Sequence, residues 1–89
     1  MAWTIEFTET AKRQLKSLDR PWQLKILDYL EKDIAHLDDP RTRGKALVGD
    51  RKGLWRFRVE DFRVVCDIIE QELLILAVVI GHRKDIYRA

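Results

Sequence analysis

The 89-residue sequence predicts an α+β fold, a two-helix hairpin packed on a mostly antiparallel sheet in the order β-α-α-β-β-β. Three observations predict it. Residues 53–87 form strand-length runs separated by tight turns. Residues 22–37 carry apolar side chains at helical spacing. A short alternating segment precedes them. Helices set apart from a run of consecutive strands indicate the α+β class.

The first strand is Trp3 to Phe7, where Trp3, Ile5 and Phe7 point one way and Thr4 and Glu6 the other. Thr8, Glu9 and Thr10 are suited to capping a helix. That helix runs to about Leu18, with Ala11, Leu15 and Leu18 on one face. Asp19 is placed to cap a second helix, and Pro21 is tolerated in its first turn. The second helix runs to about Leu37. Trp22, Ile26, Leu30 and Ile34 are spaced by four, and Leu27 and Leu37 widen the stripe. Pro40 is expected to end it. Arg41 to Gly53 reads as a loop, with three glycines and five basic residues. It is long for a structureless connection, which marks it as a functional segment.

Leu54 to Val59 alternates, with Trp55, Phe57 and Val59 on one face and Arg56 and Arg58 on the other. Glu60 and Asp61 make a tight turn without the usual glycine. Phe62 to Ile69 puts Phe62, Val64, Cys66 and Ile68 on one face, and Arg63, Val65, Asp67 and Ile69 on the other. Gln71 centres a second turn. Leu73 to Ile80 is apolar on both faces, as in a covered central strand.

The length fits one domain, residues 1–89. With 46% hydrophobic and 36% charged residues, the chain is too apolar for disorder. The net charge of +2 is unevenly spread. Residues 19–39 carry a net −3 and residues 41–58 a net +6, so a polyanion such as nucleic acid fits the basic stretch as well as solvent does. Cys66 is the only cysteine, which excludes an intramolecular disulfide and fits a reducing cytoplasm. It sits in an apolar strand and reads as a buried structural thiol. Met1 to Thr10 lacks the pattern of a signal peptide. Leu73 to Ile80 is too short to span a bilayer.

Arg56 and Arg58 lie two residues apart on one strand face, and Arg63 lies on the adjacent strand across a tight turn. Arg83 follows the third strand. Guanidinium stays charged and grips phosphate with two donors at once. Fixed around a phosphate, such groups would stabilise the charge that develops in phosphoryl transfer. The competing reading has them as surface arginines paired with Glu60, Asp61 or Asp67. Tyr87 near several arginines would have its phenolate favoured, suiting proton transfer or base stacking. His82 is a second candidate for acid–base work. The two histidines and the single cysteine make no metal site, and no Gly-rich phosphate loop, nucleophile elbow or carboxylate pair is present. Trp3, Trp22 and Trp55 belong to the apolar stripes.

Four segments then combine: GKALVG (44–49), GLWRFRV (53–59), DFRVV (61–65) and GHRKDIY (81–87). In this order they resemble the RelE family of bacterial toxins, within the RelE/ParE superfamily. The resemblance extends over nearly the whole chain. It implies a small microbial-ribonuclease-like fold and an endoribonuclease needing no metal or other cofactor. Such toxins cut messenger RNA in the ribosomal A site. The substrate's 2′-hydroxyl attacks the adjacent phosphate, leaving a 2′,3′-cyclic phosphate and a 5′-hydroxyl. On this resemblance Arg63 and Arg83 hold the scissile phosphate, Arg56 and Arg58 add charge and backbone grip, and Tyr87 orients the nucleotide. Lysines stand in some family members where this chain has Arg56 and Arg58. Arginine is a poor base, so Tyr87 or His82 takes that part, or catalysis rests on positioning and electrostatics. Lys12, Arg13, Lys16, Arg41, Arg43, Lys45, Arg51 and Lys52 would bind ribosomal RNA. The resemblance also implies a cognate antitoxin, the ribosome and messenger RNA as partners, and no membrane. Two alternatives stand beside the endonuclease. One is a ParE-like inhibitor of DNA gyrase with the same fold and no nuclease activity. The other is a degenerate member that serves in a regulatory complex.

Overall fold

The structure is a computed structural model that describes residues 2–86. Tyr87 lies outside the described residues. The first strand, β1 (Thr4–Phe7), follows the expected alternation, with Ile5 and Phe7 packed against the core. Thr8 ends it and caps α1 (Glu9–Lys16): its backbone is extended, and its hydroxyl accepts from the Ala11 N–H at 3.1 Å. Such a cap contributes about 1 kcal/mol.

The turn into α2 (Arg20–Asp28) differs from expectation. The Asp19 side chain makes no capping bond; its carbonyl accepts from the Trp22 and Gln23 N–H groups at 3.0 and 3.1 Å. The side chain of Gln23 instead donates back to the Leu18 carbonyl at 2.7 Å, closing the end of the preceding helix. The helix does not run evenly to Leu37 either. It widens to a π-helical segment over Tyr29–Ile34, where the Ala35 N–H reaches the Leu30 carbonyl at 2.9 Å. The apolar stripe supplies a reason. Residues spaced by four drift about 40° per step on an ordinary helix of 3.6 residues per turn. A wider turn reverses the drift, and Ile26, Leu30 and Ile34 all reach zero exposure. The helical segment therefore ends before Pro40, which opens a short 3₁₀ turn, Pro40–Thr42.

The segment expected to be a loop is built. A two-residue strand, β2 (Lys45–Ala46), pairs antiparallel with β3 (Trp55–Val59), matching Lys45 with Arg56 and Ala46 with Trp55. Gly49 at φ +72° and Gly53 at φ +99° reverse the chain between them in a region that L side chains rarely adopt. No hydrophobic alternation announces β2, because its pairing is made by backbone groups at the edge of the sheet.

The last strands are β4 (Phe62–Ile69) and β5 (Leu74–His82), followed by one helical turn, α3 (Arg83–Ile86). The strand order is β1-β5-β4-β3-β2; β1 is parallel to β5 and the other neighbours are antiparallel. The helices cover one face. There Leu15, Ile26, Leu30 and Ile34 share a core with Phe57, Val64, Cys66, Ile75 and Ala77.

Two details place the end of β5. Its register against β4 shifts by one residue: Cys66 faces Ala77, but Val65 faces Val79, so Val78 is extra. Also, β1 pairs with β5 only as far as Ala77. Beyond that point α1 takes over the open edge. The Thr8 N–H donates to the Ala77 carbonyl at 3.0 Å, and the Gln14 Oε1 accepts from the Ile80 N–H at 2.8 Å.

Candidate functional site

Alternation along β3 buries Phe57 and Val59 under the helices and turns Arg56 and Arg58 to the opposite face. The register then assembles that face. Arg58 sits directly opposite Arg63 of β4, Arg63 opposite Gly81 of β5, and Arg56 opposite Val65 and Lys45. Directly opposed side chains have Cβ atoms about 5 Å apart, and like charges there repel. Ile86 of α3 closes over Gly81 on the same face.

The acidic turn between β3 and β4 gathers these cations. Glu60 adopts φ +54°, unusual for a residue other than glycine. Its carbonyl accepts from Arg63 Nη1 at 2.7 Å and from Arg58 Nε at 3.4 Å. Arg63 Nη1 also donates to the Phe62 carbonyl at 2.9 Å. The next carbonyl, of Asp61, accepts from the Arg83 N–H at 2.8 Å, and the Arg83 Nε lies 3.9 Å from Asp61 Oδ1. Two arginines flanking the turn and a third from the end of β5 are thus held around two turn residues. The carboxylate of Glu60 points elsewhere, to Lys25 of α2.

The three arginines are not equivalent. Arg63 is only 7% exposed, and its buried Nε has no hydrogen-bond partner. Arg58 and Arg83 are exposed. Arg63 therefore acts first on its own turn, whereas Arg58 and Arg83 present their charge to solvent.

Not every expected site residue joins them. His82 pairs with Phe62 on the helix-facing side, stacks edge-on against its ring at 5.7 Å, and accepts from the Lys84 N–H through Nδ1 at 3.2 Å. The extra residue at Val78 is the cause. Without it, the register set at Ala77 would carry His82 onto the arginine face, because a slip of one residue exchanges the faces of a strand. Lys12, Arg13 and Lys16 are exposed on α1, across the sheet from the arginines. Arg41 is tied down, with Nε 3.0 Å from Asp39 Oδ1 and Nη2 2.5 Å from Glu70 Oε1. Of the loop residues, Lys45 stands beside Arg56; Arg43 and Lys52 are exposed and Arg51 half-buried.

Cys66 is fully buried; burial, with the nearby Asp67 charge, pushes its thiol up to about 12. It is unsuited to nucleophilic work. Among the described residues, no group of three or more His, Cys, Asp or Glu is placed to hold a metal ion, and no helix is long and apolar enough to cross a membrane. Alternation alone did not reveal the Glu60 carbonyl, Lys25 or Gln14. The signal available for the first was an acidic, glycine-free turn flanked by arginines on both strands.

This architecture is that of a known class of small toxins. Residues 5–87 match the family described as "ParE toxin of type II toxin-antitoxin system, parDE". The chain belongs to the RelE/ParE superfamily of type II toxin–antitoxin toxins. It is 27% identical to Toxin RelG of Mycobacterium tuberculosis, over 99% of either chain. It is 29% identical to a putative RelE-like toxin protein of Escherichia coli, over 98% of this chain and 92% of that one. Among solved structures it is similar to the toxin–antitoxin complex RelBE2 of M. tuberculosis, with a TM-score of 0.86 at 23% identity over 93% of either chain. The archaeal RelE–RelB complex of Pyrococcus horikoshii matches over both whole chains, with a TM-score of 0.67 at 22% identity.

Proposed function

We propose that this toxin is a ribosome-dependent messenger-RNA endonuclease acting in the cytoplasm. The observation that carries this reading is the gathering of Arg58, Arg63 and Arg83 around one turn, with Arg56 and Lys45 in the neighbouring row of the same face. Guanidinium groups on separate strands suit a phosphate approached from several sides, and they oppose the negative charge that grows as a 2′-hydroxyl attacks. Arg58 and Arg83 would contact the phosphate, with Arg56 and Lys45 along the RNA backbone. Arg63 would hold the turn and add its charge from beneath. Arginine does not deprotonate at working pH, and the His82 Nδ1 is already engaged. Tyr87 would therefore be the residue for proton transfer or base stacking. Arg43, Lys52 and the α1 cations would contact ribosomal RNA. A cognate antitoxin would bind this chain, as RelB does RelE in the archaeal complex.

A second reading, a gyrase inhibitor without nuclease chemistry, is favoured by the family description itself, which is of ParE toxins. Induction in bacteria with mapping of messenger-RNA 5′ ends separates the two. Wild type should cut within translated codons, and the Arg58→Ala/Arg83→Ala double variant should not. Growth arrest with intact messages and DNA damage would overturn the endonuclease in favour of the inhibitor. Arg63 is left unchanged in this test because losing its bonds to the turn would confound activity with folding.

A further inference from the structure

We infer that Asp61 is a built-in competitor for the anion, restraining the affinity of the arginine cluster for phosphate by partnering Arg83. The inference rests on the reading of this cluster as a phosphate site, and concerns how that site is regulated.

The turn meets its cations in two different ways. Arg63 is held by two short bonds to backbone carbonyls, at 2.7 and 2.9 Å, and is almost wholly buried. Arg83 is held at its backbone, where its N–H meets the Asp61 carbonyl at 2.8 Å. Its guanidinium is only loosely engaged, with Nε 3.9 Å from Asp61 Oδ1. That separation exceeds hydrogen-bond length. Both side chains are more than half exposed, at 54% and 63%. Such a pair contributes little to stability, so fold maintenance does not account for it.

Its consequence is electrostatic. The backbone bond fixes the Arg83 Cα beside the turn, and the carboxylate supplies a negative charge at the place where the guanidinium would receive a phosphate oxygen. Asp61 and an incoming phosphate compete for the charge of Arg83, and the arriving phosphate meets a like charge nearby. Glu60 does not share this part, because its carboxylate is engaged by Lys25. A lone phosphodiester is therefore bound weakly, and a substrate that adds contacts along Arg56 and Lys45 is favoured over a stray anion.

The test uses Asp61→Asn, which keeps side-chain shape and leaves the carbonyl bond to the Arg83 N–H untouched. A short single-stranded 2′-deoxy oligonucleotide is the probe, since it lacks the attacking hydroxyl and reports binding without cleavage. Fluorescence polarisation should show Asp61→Asn binding about two- to fivefold tighter than wild type at low salt. The gain should shrink as salt rises to roughly 300 mM, and it should be clearly smaller in an Arg83→Ala background. Unchanged or weaker binding by Asp61→Asn, or an equal gain without Arg83, overturns the proposal while leaving the phosphate site standing. A folded wild type that does not bind the probe at any salt removes the phosphate site, and this proposal with it.

Discussion

Arg63 Nη1 donates to the carbonyl oxygen of Glu60 across 2.7 Å, within a β-turn whose first central residue, Glu60, has positive φ. A charged donor thus satisfies the carbonyl of a residue in a strained conformation. Left-handed backbone at a non-glycine residue costs about 1–2 kcal/mol, and a hydrogen bond from a charged donor contributes about 1.5–3 kcal/mol. The bond is enough to hold the turn. The same carbonyl lies between Arg58 and Arg63, so the device that keeps the turn also lets two like charges stand opposite each other.

Arg63 and Arg58 should therefore separate stability from function. Arg63→Ala is expected to lower unfolding free energy by about 2–3 kcal/mol, because two carbonyls of the turn lose a charged, buried donor. Arg58→Ala is expected to change it by less than about 0.5 kcal/mol, as a surface substitution. Urea unfolding of both variants checks this; equal losses would show that Arg63 has no special hold on the turn.

Gln14 stands in for a missing strand. Its side-chain carbonyl receives the buried Ile80 N–H where β1 has ended. Gln14→Leu should destabilise the protein by about 1–3 kcal/mol and speed hydrogen exchange at the Ile80 amide. Gln14→Glu retains an acceptor and should recover much of the loss. Protection at Ile80 that is the same in wild type and Gln14→Leu would show that the edge is held by other groups.

Cys66 gives the fold a pH dependence in alkali. Its folded thiol is raised to about 12 by burial and by Asp67, whereas an unfolded thiol titrates near 8.5. The folded state keeps its proton over that interval and the unfolded state loses it. Stability is therefore full below about pH 8.5 and falls by about 1.4 kcal/mol per pH unit up to about pH 12. Cys66→Ala removes this contribution at the cost of a small cavity. Unfolding free energies of both proteins across pH 8 to about pH 11 should converge as pH rises. Parallel curves would mean that the thiol titrates alike in both states.

Several of these relationships were legible beforehand because they are local. The spacing of Ala11 and Leu15 placed α1, and the pairing across the two-residue turn put Arg63 beside Arg58. The pairing of arginines with Glu60 and Asp61 is what the competing reading of them as surface arginines expects, although Glu60 acts through its carbonyl. By contrast, β2 lacked any pattern because its stabilising groups are backbone atoms common to every residue. The widened segment at Tyr29–Ile34 preserves the expected stripe while changing the helix that carries it.

What the sequence determined by itself is which residues share a face within each element, above all Arg56 and Arg58 opposite Phe57 and Val59. Alternation and helical period follow from backbone geometry within a few residues. Tertiary structure alone decided which faces meet. The strand β5 is apolar on both sides, so its pattern carries no phase, and only pairing with β4 and the extra Val78 put Gly81 beneath the arginines and His82 on the far side. The parallel pairing of β1 with β5, the reach of Gln14 to Ile80 and the approach of Arg83 to Asp61 likewise join residues distant in the chain. Such contacts depend on register and closure across the whole sheet, which no local spacing encodes.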